Sequence, residues 1–367
     1  MRAGLLIYGS LDTLSGGYLY DRKLAEHLER AGAEVRVISL PWRSYPLHLS
    51  DNLLSRTLRE LAHMELDVLL QDELNHPSLF LINRRLKQQM GIPILSIVHH
   101  LRCSERHPAP LLALYRAVER RYLRSVDGFI FNSQTTRAVV EALSGVKRPC
   151  VVAQPAGSRF AAGVDAAGVQ ARAQTAGPLQ IAFVGNVIPR KGLHTLIEAL
   201  VRMPPGTWRL TVTGRLDADP RYTRRVRRLI EGQGISGAVR LAGRLPDEAL
   251  AEQLAGAHVL CVPSSYEGFG IVYLEGMAFG LPAIATTAGA AGEIIEEGRS
   301  GYLVPADDPA ALADRLGGLH EKRDVLARMS EAALQRFAAH PTWEESTAQI
   351  VAFIEQMARQ QEPEPHR

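Results

Sequence analysis

Cysteine, aromatic side chains and long apolar runs are all scarce in this chain. Its 367 residues hold three cysteines, Cys103, Cys150 and Cys261, an odd number at wide spacing. That excludes a disulfide framework and fits a reducing compartment. No uninterrupted apolar stretch approaches the ~18–20 residues of a membrane span. The least charged stretch, Gly276 to Gly292, is rich in Gly, Ala and Thr and contains Pro282. At the start, the apolar core of Met1-Arg2-Ala3-Gly4-Leu5-Leu6-Ile7 is too short for a secretory signal. A protein neither secreted nor membrane-spanning is expected, cytoplasmic or peripheral at the inner face of a membrane. Aromatic residues make up only 6%, and no stacking positions interleave the arginine stripes, which argues against a nucleic-acid partner.

Net charge is also small, +3, but it is unevenly placed. Through Arg172 there are 22 Lys/Arg against 16 Asp/Glu; the remainder has 20 against 23. A basic first half suits an anionic partner or surface. Arg116, Arg120 and Arg124 recur at helical spacing beside Arg121, with Leu111, Tyr115, Val118 and Tyr122 as the opposite apolar stripe. Arg221, Arg224, Arg225 and Arg228 repeat the pattern. Such faces suit a peripheral membrane contact, or are simply solvated.

With 46% hydrophobic residues the chain has ample material for two packed cores, and its length exceeds what one core usually fills. Short apolar runs alternate with helical patterns. Strands are expected at Leu5–Tyr8, Val35–Ile38, Asp67–Leu70, Ile94–Val98, Gly128–Phe131 and Cys150–Val152. A second series follows at Ile181–Val184, Leu210–Val212, Val239–Leu241, Val259–Val262 and Ala283–Ala285. Such alternation predicts α/β architecture, two doubly wound Rossmann-like domains facing a cleft. The Ala- and Gly-rich stretch from Ser158 to Gln180 is expected to be the connection. The expected division is 1–172, 173–342, a terminal helix 343–359 and a frayed tail 360–367.

The densest chemistry lies in Pro263-Ser264-Ser265-Tyr266-Glu267-Gly268-Phe269-Gly270-Ile271-Val272-Tyr273-Leu274-Glu275. A buried strand ends, a glycine-bearing loop follows, and a helix starts near Ile271, whose free N–H groups suit a phosphate. Glu267 and Glu275 supply carboxylates that accept hydrogen bonds from sugar hydroxyls. A second loop, Gly185-Asn186-Val187-Ile188-Pro189-Arg190-Lys191-Gly192, carries adjacent cations that can neutralise a diphosphate. Leu14-Ser15-Gly16-Gly17 places paired glycines where backbone can approach a ligand closely or take up positive φ. His99 follows a buried strand, at the end where α/β sites lie. The group His99, His100, Cys103, His107 invites a zinc reading, but no second ligand pair follows at a zinc-site spacing. Asp217-Ala218-Asp219 looks like a metal-binding pair of acids but reads as a solvated turn.

These segments resemble the large family of retaining GT-B-fold glycosyltransferases, the family 4 or group 1 transferases, with the likeness strongest from Ile181 to Pro305. The family's paired glutamates, eight positions apart with Gly-Phe-Gly after the first, stand here as Glu267 and Glu275. The resemblance implies that Glu267 contacts the donor sugar and Glu275 the ribose. It implies that Gly268, Phe269, Gly270 and Ile271 lie along the sugar diphosphate, and that Lys191 binds phosphate. Asn186 stands where an Arg is usual, leaving open whether it or Arg190 serves. Gly16 and Gly17 would face the diphosphate, His99 the reacting centre, and the loop at Leu245 the nucleobase. By the same resemblance His99, Glu267 and Lys191 are catalytic, and the terminal helix crosses back to the first domain. The implied activity is metal-independent transfer of a hexose-like unit from a nucleotide diphosphate sugar to a lipid-linked, glycan or other hydroxyl acceptor. No cofactor or metal is implied. The alternative is a non-catalytic GT-B protein that only binds the nucleotide sugar; an epimerase or phosphorylase would need signatures that are missing.

Overall fold

A computed structural model describes residues 1–13, 15–53, 61–157, 160 and 164–360. Leu14, part of the expected connection and the tail from 361 lie outside that range. The chain forms two compact units. One comprises Met1–Pro155 together with the segment from Pro341, the other Ala156–His340.

The first unit holds six parallel strands: β1 (Arg2–Tyr8), β2 (Glu34–Leu40), β3 (Val68–Asp72), β4 (Ile94–Val98), β5 (Gly128–Phe131) and β6 (Cys150–Val152). Their order is β2-β1-β3-β4-β5-β6. β3, β4 and β5 are buried along their whole length, which is why they read as nearly unbroken apolar runs. Two of the polar exceptions are partnered: Gln71 exchanges amide hydrogen bonds with Asn83, and Ser96 accepts from the Tyr122 hydroxyl at 2.9 Å. The terminal helix Trp343–Arg359 starts on a capping box between Thr342 and Glu345. Ile350, Phe353, Ile354 and Met357 bury its inner face. It packs on helix Gly16–Arg30 and on β6, and Ser346 Oγ donates to Gln154 O at 2.6 Å. The expected return to the first unit is present.

The second unit repeats the plan with β7 (Leu179–Val184), β8 (Trp208–Thr213), β9 (Val239–Gly243), β10 (Val259–Cys261), β11 (Ala283–Thr286) and β12 (Gly301–Val304). The order is β12-β11-β10-β7-β8-β9, all parallel. β12 was not anticipated: four residues at a sheet edge, the middle two half-exposed, carry no readable period.

The expected irregular connection is partly regular. Residues Ala166–Gln174 form a helix, capped by Asp165, whose carboxylate accepts from Gly168 N at 2.7 Å. Val169 and Ala173, four apart, are its only buried positions, too few to mark a helix in an Ala-, Gly- and Gln-rich sequence. The helix lies against helix Arg323–Ala338, and Arg172 donates to the carbonyls of Ala255 and Phe279. The junction between units therefore falls at 155/156, ahead of the expected 172/173.

Candidate active site

In the second sheet the chain order reverses between β7 and β10, so the loops leaving their carboxyl ends border the crevice where such sheets bind ligands. One loop is 185–192, the other 262–270. Pro189–Lys191 makes a single 3₁₀ turn that ends on Gly192 at φ +69°. A Cβ at Gly192 would sit 2.1 Å from the Pro263 carbonyl oxygen, so only glycine lets the two loops meet. Ser265 N donates to Arg190 O at 2.8 Å across the same seam.

This seam brings Lys191 onto Glu267. Lys191 Nζ donates to Glu267 Oε1, Ser264 Oγ donates to the same oxygen at 2.6 Å, and Arg190 Nη1 stands 3.5 Å from Oε2. Arg190 also donates to Tyr266 O at 2.9 Å. Glu267 is only 7% exposed. Burial alone would push its carboxyl up, but the charges of Lys191 and Arg190 and the hydrogen bonds from Lys191 and Ser264 outweigh it and hold it at about 2. Glu267 is thus an ionised, acceptor-only group across the neutral range.

Glu275 is buried within helix Ile271–Met277, which Tyr273 pins under the sheet by donating to Val262 O at 2.9 Å. Gly268 is buried, and Gly270 and Ile271 are half-buried at the start of the helix. That helix has seven residues, so its N-terminus offers local N–H groups more than a summed dipole. The Phe269 ring is buried in the unit's core, 5.9 Å from the His340 ring. Asn186 is half-buried, and its side chain makes no hydrogen bond among the described residues. Leu245, between β9 and helix Asp247–Ala255, packs partly on the core.

In the first sheet the reversal lies between β1 and β3. Ser15 caps helix Gly16–Arg30, accepting from Tyr18 N at 3.3 Å. Gly17 does not adopt positive φ; its role is close approach, since a Cβ there would lie 3.0 Å from His99 Cδ2. His99, immediately after β4, is held by Asn132 Nδ2 donating to its carbonyl at 2.8 Å, by the edge of Tyr20, and by Asp21 Oδ1 at 3.1 Å from Nε2. Gly17→Ala is expected to push the ring off Asp21 by a few tenths of an ångström. Any activity that uses His99 should fall by up to about 10-fold with the fold intact, because sub-ångström misplacement is felt in rate before stability. Turnover beside a thermal melt checks it, and an unchanged rate would refute it.

The zinc group does not assemble: His100 faces Glu105 and His107 the Arg102 carbonyl. All three cysteines are free. Asp219 caps helix Pro220–Gly232 and Asp217 pairs with Arg215, the solvated turn expected. In helix Ala109–Leu123, Tyr115, Val118 and Tyr122 are buried, but Leu111 is exposed, contrary to expectation, because it lies in the first turn, ahead of the buried stripe. Arg120 and Arg124 donate to Leu143 O and Ser144 O, finishing helix Gln134–Ser144. Sequence reading missed Asp21, Asp72 and Ser264. For the two aspartates a signal existed, since each is polar at a position its element's pattern assigns to the interior.

Two parallel six-stranded sheets, each with its site loops at the reversal of strand order, define the GT-B architecture. Sucrose-phosphate synthase from Thermosynechococcus elongatus superposes with a TM-score of 0.81 at 22% identity, covering 98% of this chain and 99% of that one. HepE from Anabaena, solved with UDP and glucose, gives 0.76 at 18% identity over 97% and 100%. Residues 19–156 match the model of Glycosyltransferase Family 4 and residues 170–336 that of Glycosyl transferases group 1. The chain belongs to this GT-B glycosyltransferase family. A D-inositol 3-phosphate glycosyltransferase of Corynebacterium urealyticum is 33% identical over 261 residues, 68% of this chain, which spans 61% of that enzyme. A phosphatidyl-myo-inositol mannosyltransferase of Mycobacterium leprae is 29% identical over 98% of this chain and 97% of its own.

Proposed function

We propose that the protein transfers a sugar from a nucleoside diphosphate sugar to a hydroxyl acceptor, with retention at the anomeric carbon and without a metal. The observation that carries this is the seam between the loops after β7 and β10, which gathers Lys191, Arg190 and Glu267 at the reversal of strand order. A bound diphosphate competes for Lys191 and Arg190, and the freed Glu267 carboxylate accepts from the sugar hydroxyls. Negative charge that builds on the leaving diphosphate meets fixed cations, which need no reorganisation as the bond breaks. Glu267 serves as a hydrogen-bond acceptor and not as a general acid; the leaving phosphate takes the acceptor's proton on the same face. The excess of Lys/Arg through Arg172 and the likeness to an enzyme named for phosphatidyl-myo-inositol support a lipid-linked or anionic acceptor. Among the described residues no helix is long and apolar enough to cross a membrane; acceptor access from a membrane surface is part of the proposal.

The test is a thermal-shift screen of UDP, GDP, ADP and their sugars in EDTA, followed by release of nucleoside diphosphate and NMR of the product anomer. One nucleotide is expected to raise the melting temperature, and its sugar to be consumed with retained configuration. Stabilisation without release would favour a protein that only binds the nucleotide sugar. No shift with any nucleotide, turnover only with added metal, or an inverted product would overturn the corresponding part.

A further inference from the structure

The carboxyl end of the first sheet holds a buried charge cluster that the donor-site reading leaves unused. Asp21 belongs to helix Gly16–Arg30, Asp72 is the last residue of β3, and His99 is the first after β4. The buried positions of that helix are Tyr18, Tyr20, Asp21, Leu24, Ala25 and Leu28, so Asp21 occupies a place in an apolar stripe. Asp21 is 0% and Asp72 1% exposed, and the His99 side chain 12%. Each of the three puts a nitrogen or carboxylate oxygen within 4.8 Å of the other two.

The hydrogen bonds fix what each atom does. Asp21 Oδ1 takes His99 Nε2, and Asp72 Oδ1 accepts Leu74 N at 2.9 Å. The other two oxygens, Asp21 Oδ2 and Asp72 Oδ2, are fully buried without a partner among the described residues. Two carboxylate charges this close in a dry interior are strongly unfavourable, and a single proton on the pair relieves them. An imidazole with one nitrogen against the remaining negative charge is favoured as the cation.

We propose that Asp21 and Asp72 are positioning residues that hold one proton between them, keep a single negative charge, and so maintain His99 as an imidazolium able to donate a hydrogen bond to an anionic ligand. The cluster is then neutral as a whole. This deepens the transferase reading and rests on it for the ligand. His99 acts as a cationic donor and not as a base. Burial, then the Asp21 charge, push the Asp72 carboxyl well above the ordinary range. Burial pulls His99 down, but the Asp21 charge and its hydrogen bond outweigh that and His99 is raised to about 9. Tyr18 and Tyr20 also face the cluster, both raised by burial and therefore neutral. Glu73, raised to about 7 by burial, and His100 complete its surroundings.

The two carboxyls are predicted to be unequal. Asp72→Asn puts an amide N–H where the proton sits and keeps an oxygen for Leu74, so the cluster charge is unchanged. Asp21→Asn removes the charge. The experiment is a histidine-selective ¹⁵N NMR titration of the full chain, with His99→Gln to assign the signal. In wild type His99 is expected to remain protonated beyond pH 8. Asp72→Asn should leave its midpoint within about half a unit, and Asp21→Asn should lower it by about two units, the range for losing one close opposite charge. A neutral His99 at pH 7 in wild type overturns the proposal, and that measurement needs no variant to fold. So does an equal drop in both variants, or loss of the titration on adding equimolar Zn²⁺ or Mn²⁺. The pH profile of transfer gives a second readout, falling above about pH 9 in wild type and at lower pH in Asp21→Asn. If His99 titrates as expected while no nucleotide sugar is turned over, the network stands and the transferase reading fails.

Discussion

Replacing Lys191 with alanine is expected to abolish nucleotide-induced stabilisation and to lower transfer by about 10²–10³-fold, the usual loss for one preorganised group facing developing charge. It should also weaken the second unit itself. Glu267 is 7% exposed, and without Lys191 its buried charge keeps only Ser264 and Arg190 at 3.5 Å. Removing one partner of a buried pair costs about 3–5 kcal/mol, mostly the penalty of the charge left behind. The two losses separate in the double variant Lys191→Ala/Glu267→Gln, which should recover most of the urea midpoint and none of the activity. If the single variant unfolds at the wild-type midpoint, the pair carries no such burden and this account is wrong.

Acid is expected to act on the second unit through the same carboxylate. Glu267 sits at about 2 in the fold against 4.5 ordinarily, so its contribution is complete above pH 4.5 and is lost as pH falls through 2. Two and a half units correspond to roughly 3 kcal/mol. In the first unit the sign is opposite. Burial raises Glu73 and Glu119 to about 7, so the fold binds their protons more tightly than the unfolded chain does. Their contribution is complete below about pH 4.5 and is lost as pH rises through 7. Hydrogen exchange at pH 3, 5 and 8, corrected for intrinsic rates, should show the second unit loosening at the acid end and the first at the alkaline end. Glu267→Gln should flatten the acid response; a variant as acid-sensitive as wild type would remove Glu267 as its cause.

What could be read from sequence follows the range of the forces involved. Strands β3, β4 and β10 announce themselves because burial on both faces demands unbroken apolar residues, and Glu267, Lys191 and His99 stand just beyond strand ends, where the fold class puts ligands. β12 and helix Ala166–Gln174 were hidden because each contributes only two buried residues to a core built by others. The burial of Phe269 and the partnership of Asp21, Asp72 and His99 depend on residues far apart in the chain. Asp21 and His99 are 78 positions apart, and no local pattern reports that they meet.

The return of the C-terminal helix has a consequence for synthesis. All six strands of the first sheet have been made once Val152 is added, yet the helix that covers β6 begins only at Trp343, roughly 190 residues later. At 5–20 residues per second that interval is on the order of 10–40 s. Throughout it, the surface that later receives Ile350, Phe353, Ile354 and Met357 waits uncovered on the ribosome. The second unit is complete by His340 and is free to close in the meantime. The half of the protein made first is therefore finished last, and its uncovered surface is where a nascent-chain chaperone has most to protect.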